Sequence, residues 1–351
     1  MDSKANRQQR GRVWRTTFPG SVDNSPLQLV EEARPIPEEG ELLVAIESCG
    51  VCRTDLHVVE GDLPVHSPHV VPGHEAVGIV SAVGSDSVTA FRVGDRVGIP
   101  WLRHTCGTCS FCASGRENLC SRSLYTGWDR DGGFAEWAVV PAEYALALPT
   151  GYTTAELAPL LCAGIIGYRA LLLAELPEHG VLGLYGFGGS AHIVAQLARA
   201  DGAAVHVMTR DLVAREFAMS LGMDSAQDTF ATAPQKLDAA IVFAPIGEIV
   251  PVALDALVPG GTVVLAGIHM TDSPALNYQQ HLFHEKRLRS VEANTREDAR
   301  AFLDICNRIH LRVETTVYPF DRVPDALRDL RHGRFAGAAV VTMRPGEETM
   351  S

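Results

Sequence analysis

The sequence predicts two domains of different class, one mostly antiparallel β and one α/β, built on a doubly wound parallel sheet. Three observations lead there. Up to about residue 150, short β-rich runs broken by glycine follow one another, "ELLVAIESCGV", "AVGIVSAVG", "RVGDRVGI" and "FAEWAVVPAEYALALP", with turn signals between them as in hairpin-linked strands. From residue 156 to residue 294 the rhythm changes. There "VLGLYGFGGSAHIVAQLARADGAAVHVMTRDLVAREFAMSLG" reads as strand, glycine turn, helix, strand, helix, and "LDAAIVFAP" and "TVVLAG" add buried strands, the βαβ signature of a parallel sheet. After Asn294 come a helix near "REDARAFLDIC", a strand near "VETTVYPF", a helix near "VPDALRDLR" and a last strand, "GAAVVTM". That tail is too short for a third domain and is expected to return to the β part. The expected division is therefore 1–155 with 295–351 for the β domain, and 156–294 for the α/β domain.

Composition agrees with two packed cores: 351 residues, 46% hydrophobic and 21% charged. The net charge of −12 argues against nucleic acid or an anionic membrane as a general partner. The start, "MDSKANRQQRGR", is polar and lacks the apolar core of a secretion signal, and no apolar run is expected to reach the roughly 18 residues of a membrane span. A cytoplasmic protein is the expectation. Its eight cysteines are then better read as metal ligands or buried small residues than as disulfides.

Four of them form an array. "CGTCSFCASGRENLC" places Cys106, Cys109, Cys112 and Cys120 at C-x2-C-x2-C-x7-C spacing. Four thiolates enclose a tetrahedral ion and leave no position for substrate, so a structural zinc is expected; an iron–sulfur centre ranks below it. A second set is scattered: Cys52, then His74 and Glu75 in "GHE", then Cys162 in "APLLCAG". Two thiolates and an imidazole supply three zinc ligands and leave a fourth position open.

"GVCRTDLH", "PGHEAVGIV", the four-cysteine loop, "APLLCAG" and a glycine turn, in that order, resemble the zinc-dependent alcohol dehydrogenases of the medium-chain dehydrogenase/reductase family over nearly the whole chain. That resemblance implies a GroES-like β domain joined to a Rossmann domain. It also implies two zinc ions per chain, with Cys52, His74 and Cys162 as catalytic ligands, the Cys2His set known for alcohol dehydrogenases. Glu75 resembles the carboxylate that approaches the metal during ligand exchange, and Asp55 the acid that orients the ligand histidine. Thr54 resembles the hydroxyl that receives the substrate proton and His57 the imidazole that passes it on, for which a pKa of about 6.5 is suited. Arg53 resembles a contact to the cofactor pyrophosphate. Cys49, despite its C-x-x-C spacing to Cys52, is read as a small residue ending a buried strand.

"GFGGSA" follows an apolar strand and opens a helix. Gly186 permits the tight turn, Gly188 and Gly189 let the backbone approach the diphosphate, and Ala191 sits where helix packs on strand. The next strand ends in Thr209 and Arg210 rather than in a carboxylate. A hydroxyl and a guanidinium suit a 2′-phosphate, so NADP is favoured over NAD, with Asp211 the residue that weakens the inference. Ala338 stands where relatives often carry a pyrophosphate-binding arginine, which leaves Arg53 and the helix terminus to compensate, or Arg334. Trp101 resembles a wall of the alcohol pocket, and Ile268 resembles the backing of the nicotinamide ring. The expected substrate is a small primary or secondary alcohol, or the aldehyde or ketone in reverse, and the expected assembly a homo-dimer or homo-tetramer. Rival readings are a polyol or aromatic-alcohol dehydrogenase of the same family, a non-enzymatic zinc-knuckle module, and a zinc-free quinone reductase.

Overall fold

The computed structural model describes residues 9–84 and 89–343, and the chain divides into two compact units. The first comprises residues up to Cys162, Thr315–Phe335 and Ala339 onwards; the second comprises Ala163–Glu314 with Ala336–Ala338.

The first unit is built on a seven-stranded sheet. Its order is Thr315–Pro319, Ala338–Thr342, Glu41–Val51, Ala76–Val83, Arg96–Ile99, Leu146–Ala147, with Trp137–Pro141 pairing the Glu41–Val51 strand off that path. The pairs along the Glu41–Val51, Ala76–Val83 and Arg96–Ile99 strands are antiparallel. Leu42, Val44 and Ile46 alternate into one buried core with Val80, Val97 and Ile99, the period-two pattern of a strand with one dry face. The final strand pairs Val341 with Cys49. The tail thus returns to this sheet, and Cys49 is wholly buried in its core.

The second unit carries a six-stranded parallel sheet ordered Ser225–Gln227, Ala204–Met208, Val181–Tyr185, Leu237–Val242, Leu257–Leu265, Arg287–Ser290. Sequence order reverses between Val181–Tyr185 and Leu237–Val242, and a ligand in such a sheet binds outside the carboxyl ends of the strands at that switch. Leu182 and Leu184 join one core cluster while Tyr185 joins the other, so both faces are covered.

Two expectations differ from what the structure shows. The Arg296–Arg308 helix, expected with the β domain, belongs to the second unit. Its buried stripe of Ala299, Phe302, Leu303 and Cys306 faces the Ile165–Ala174 helix, where Phe302 lies 6.0 Å from the Tyr168 ring and Asp298 accepts from Arg169 at 2.6 Å. And one helical run, the 21 residues Thr154–Ala174, is long and apolar enough to cross a membrane. It contains Pro159 and a π segment, Leu160–Gly164. Its apolarity has a local cause, because Leu157, Ala158, Leu160, Leu161 and Ile165 are wholly buried as a core helix requires.

Candidate active site and metal centres

The Arg53–Glu60 helix begins at Cys52, whose extended backbone leads out of the Glu41–Val51 strand. Asp55, in its first turn, holds three groups at once. Its Oδ2 accepts from the Cys52 N–H at 2.9 Å, and its Oδ1 accepts from the Gly73 N–H at 3.0 Å and from His74 Nδ1 at 2.7 Å. A buried carboxylate requires such pairing. Nδ1 is engaged by Asp55, so the nitrogen that His74 turns towards the cysteines is Nε2. That nitrogen lies 3.3 Å from Cys162 Sγ, which lies 4.0 Å from Cys52 Sγ.

These distances suit zinc. A tetrahedral ion about 2.3 Å from sulfur and about 2.0 Å from nitrogen separates two sulfurs by about 3.8 Å and sulfur from nitrogen by about 3.5 Å. Cys52, His74, Glu75 and Cys162 each offer a ligand atom within 4.8 Å of the others. Their electrostatics point the same way. The hydrogen bond with Cys162 holds the Cys52 thiol well below its usual range, and the same contact, with burial, pushes Cys162 well above it. Burial works against a charged His74, yet Asp55 outweighs it and holds that pKa well above the usual value. Burial and the neighbouring Cys52 push Glu75 up. Two thiols sharing one proton are the donor set that a cation deprotonates fully. Gly50 belongs to the same construction, since a Cβ there would overlap the Glu75 carboxylate.

Thr54 is buried with Oγ1 3.8 Å from Cys52 Sγ. His57, one turn further along the helix, places Nδ1 2.7 Å from Asp62 Oδ2. The Trp101 ring stands edge-on to His74, with centroids 4.9 Å apart, and lies parallel to Tyr125 at 4.8 Å and to Trp128 at 5.9 Å. Arg53 is exposed at the helix start.

Cys106, Cys109, Cys112 and Cys120 also converge. Backbone N–H groups of Cys106, Cys109, Cys112 and Arg122 point at the sulfurs of Cys120, Cys106, Cys109 and Cys120, at 3.3 to 3.5 Å. Such donors favour the thiolate form. The backbone around Thr108 brings Cys106 down to about 5, while burial lifts Cys112 to about 11. Gly107, at φ 70°, makes the turn between Cys106 and Cys109.

In the second unit the glycine turn lies at the carboxyl end of Val181–Tyr185, beside the switch point. Gly186 has φ 90°, with Ala244 N only 3.0 Å from where a Cβ would stand. Gly188 caps the Gly189–Ala200 helix with open space around its missing side chain, and Ala191 is wholly buried. Thr209 is buried; its N–H donates to the Gln227 carbonyl and its own carbonyl accepts from Arg215 Nε. Arg210 is exposed. The Asp211 carboxylate caps the Leu212–Ser220 helix, accepting from the Val213 and Ala214 N–H groups. Ile268, 36% exposed, follows the Leu257–Leu265 strand. Arg334 is engaged by Asp329 at 3.0 Å.

Comparison with known proteins decides the family. Residues 38–150 match the model of the alcohol dehydrogenase GroES-like domain and residues 189–308 that of the zinc-binding dehydrogenases. A Mycobacterium tuberculosis protein described as "Probable alcohol dehydrogenase AdhA" is 59% identical over 94% of this chain and 96% of its own length. The chain belongs to the zinc-dependent alcohol dehydrogenases of the medium-chain dehydrogenase/reductase family. This alcohol dehydrogenase also superposes on solved structures. A Sorghum bicolor cinnamyl alcohol dehydrogenase has a TM-score of 0.84 at 26% identity, covering 98% of this chain and 100% of that one. A Sinorhizobium meliloti protein described as a zinc-binding dehydrogenase and bound to NADP has a TM-score of 0.83 at 26% identity, covering 95% and 100%. The enzyme is an NAD(P)-dependent oxidoreductase that interconverts alcohols with aldehydes or ketones.

Sequence reasoning missed three features of this alcohol dehydrogenase. Asp62 follows His57 after Gly61, whose left-handed φ of 83° folds the chain back; the "EGD" turn was the available signal. Tyr125 and Trp128 extend the Trp101 wall from a segment over twenty residues away, with no periodic signal to mark them. The third is His192, wholly buried in the Gly189–Ala200 helix next to the glycine turn.

Proposed function

We propose that this alcohol dehydrogenase holds its catalytic zinc on Cys52, His74 and Cys162 and its structural zinc on Cys106, Cys109, Cys112 and Cys120, and that it uses NADP in preference to NAD. The observation that carries the reading is the convergence of Cys52 Sγ, His74 Nε2 and Cys162 Sγ, with Asp55 behind the imidazole. When bound there, zinc supplies the Lewis acidity that lowers the pKa of the substrate hydroxyl, and the nicotinamide accepts the hydride.

The chain's own residues do the rest. Thr54 Oγ1 takes up the substrate hydroxyl proton as it releases its own, and His57 serves to hand that released proton on towards solvent. Asp62 orients that imidazole, as a carboxylate partner fixes a histidine tautomer. Asp55 keeps His74 Nε2 directed at the metal, and Glu75 stands ready as an alternative ligand during exchange. In the second unit, Gly186, Gly188, Gly189 and Ala191 form the diphosphate turn, Ile268 backs the nicotinamide, and Arg53 adds a charge for the pyrophosphate.

Thr209 and Arg210 support NADP, because the carboxylate that follows them in sequence, Asp211, is occupied as a helix cap and so is turned towards its own helix. The Sinorhizobium relative with NADP bound points the same way. Steady-state kinetics with both dinucleotides test this. Arg210→Ala is expected to lower kcat/KM for NADP about tenfold or more and to leave NAD nearly unchanged, as loss of a guanidinium–phosphate contact implies. A strong NAD preference untouched by the substitution would contradict it.

The row of Trp101, Tyr125 and Trp128 favours an aromatic alcohol over a short aliphatic one, since flat rings gain from stacking. Kinetic comparison of benzyl alcohol with ethanol, in the enzyme and in Trp128→Ala, tests it. A cytoplasmic location and a homo-dimer or homo-tetramer complete the reading, the latter checked by sedimentation.

A further inference from the structure

His192 is a wholly buried imidazole in the first turns of the Gly189–Ala200 helix, and no step of the reaction uses it. We propose that His192 is a positioning residue for the dinucleotide: it pins the Gly188 carbonyl so that the Gly188–Gly189 peptide aims its N–H at the pyrophosphate. The proposal rests on reading Gly186 to Ala191 as the diphosphate turn.

The geometry is two-sided. His192 Nδ1 lies 3.1 Å from the Gly188 carbonyl oxygen, and Nε2 lies 3.4 Å from the Glu314 N–H. A carbonyl only accepts and an N–H only donates, so the ring is neutral, with Nδ1 protonated and Nε2 accepting. Burial holds it in that form, its pKa lowered to about 4. The Gly188 carbonyl also accepts the His192 backbone N–H at 3.1 Å. Both of its lone pairs are therefore engaged on the helix side.

A peptide unit is planar, with C=O and N–H pointing opposite ways. Fixing the Gly188 carbonyl into the helix fixes the Gly189 N–H outwards, and Gly189 opens the helix, where N–H groups have no intrahelical partner. Gly188 has no side chain to hold this peptide, and no side-chain cap is present at this helix start. His192 supplies the missing restraint from within the helix.

Gln196, one turn on, separates this role from simple packing. Its amide donates to the Arg312 carbonyl and to the His192 backbone carbonyl, each at 2.9 Å, and accepts from the Arg312 N–H at 2.9 Å. It ties the same 312–314 segment to the same helix face without touching the glycine turn. Substitutions at 192 divide the two contacts further. An asparagine nitrogen occupies the place of Nδ1 and keeps the donor to Gly188, whereas a glutamine reaches towards Glu314 and forfeits it.

The test is fluorescence titration with NADPH and with NADH, beside thermal unfolding, on the zinc-loaded enzyme and four variants. His192→Ala and His192→Gln should raise the dissociation constant about tenfold, the scale of one hydrogen bond. His192→Asn should stay within about threefold of the parent, and Gln196→Ala should lower stability while keeping affinity. At saturating NADP in its oxidised form, kcat for alcohol oxidation should be retained in His192→Ala, the loss appearing in KM for the dinucleotide. Unchanged affinity in His192→Ala, equal weakening in His192→Asn, or equal weakening in Gln196→Ala would each overturn the proposal while leaving the diphosphate turn in place. A parent enzyme that bound neither dinucleotide would overturn both.

Discussion

Asp55 is the residue on which the proposed catalytic centre depends, because one carboxylate fixes a helix start, a glycine turn and the His74 imidazole. Asp55→Ala is expected to weaken zinc at Cys52, His74 and Cys162 by about 10- to 100-fold, as loss of a partner to a metal-bound histidine does; competition with a chromogenic chelator measures this. His192 gives a pH-dependent prediction. Its pKa is about 4 folded and about 6.5 unfolded, so between these values the unfolded chain binds a proton that the native state does not. The parent's stability therefore falls as pH drops through that window. Glu314 and Arg312 are the charges that face the ring. Urea unfolding at pH 7 and pH 5 should show the parent losing about 2 kcal/mol more than His192→Asn, and equal losses would contradict a buried neutral imidazole.

At the scale of elements, the segment bearing Cys162 is fastened at its start. Thr153 and Glu156 form a reciprocal cap, with Thr153 N–H donating to Glu156 at 2.8 Å and Glu156 N–H to Thr153 Oγ1 at 3.3 Å. Thr153→Ala should cost about 1 kcal/mol, read from the urea midpoint. Gly50→Ala should cost about 1–3 kcal/mol, since the new methyl must displace the buried Glu75 carboxylate. Much at this scale was legible in the sequence where the signal is contiguous. The strand, glycine turn and helix around Gly186 lie in one short run, and the four-cysteine loop spans fifteen residues. Contacts closed by distant chain were not legible. His192 is completed by Glu314, over a hundred residues away, and Trp101 by Tyr125 and Trp128. The apolar stripe of Arg296–Arg308 was visible, but a stripe does not say which unit it will cover, and the helix joined the second unit rather than the first. The Thr154–Ala174 run shows the same limit: length and apolarity suit a membrane and a protein core equally, and burial alone separates them.

At the scale of the whole molecule, zinc on two sets of cysteines has different consequences. In the proposed arrangement the four thiolates of the Cys106 to Cys120 loop would enclose one ion and leave no position for substrate, so Cys109→Ala should lose one zinc and lower the melting temperature broadly. Cys52, His74 and Cys162 are not themselves members of the apolar core of their unit, so loss of an ion held there should spare the fold. The most direct test of the account is zinc content and NADP-linked alcohol oxidation measured together on Cys52→Ala. The expected result is a fall from about two zinc ions per chain to about one, with oxidation abolished and the far-UV circular dichroism unchanged. Two zinc ions retained with activity intact, or catalytic zinc lost instead in Cys49→Ala, would contradict the assignment of Cys52 to the catalytic metal.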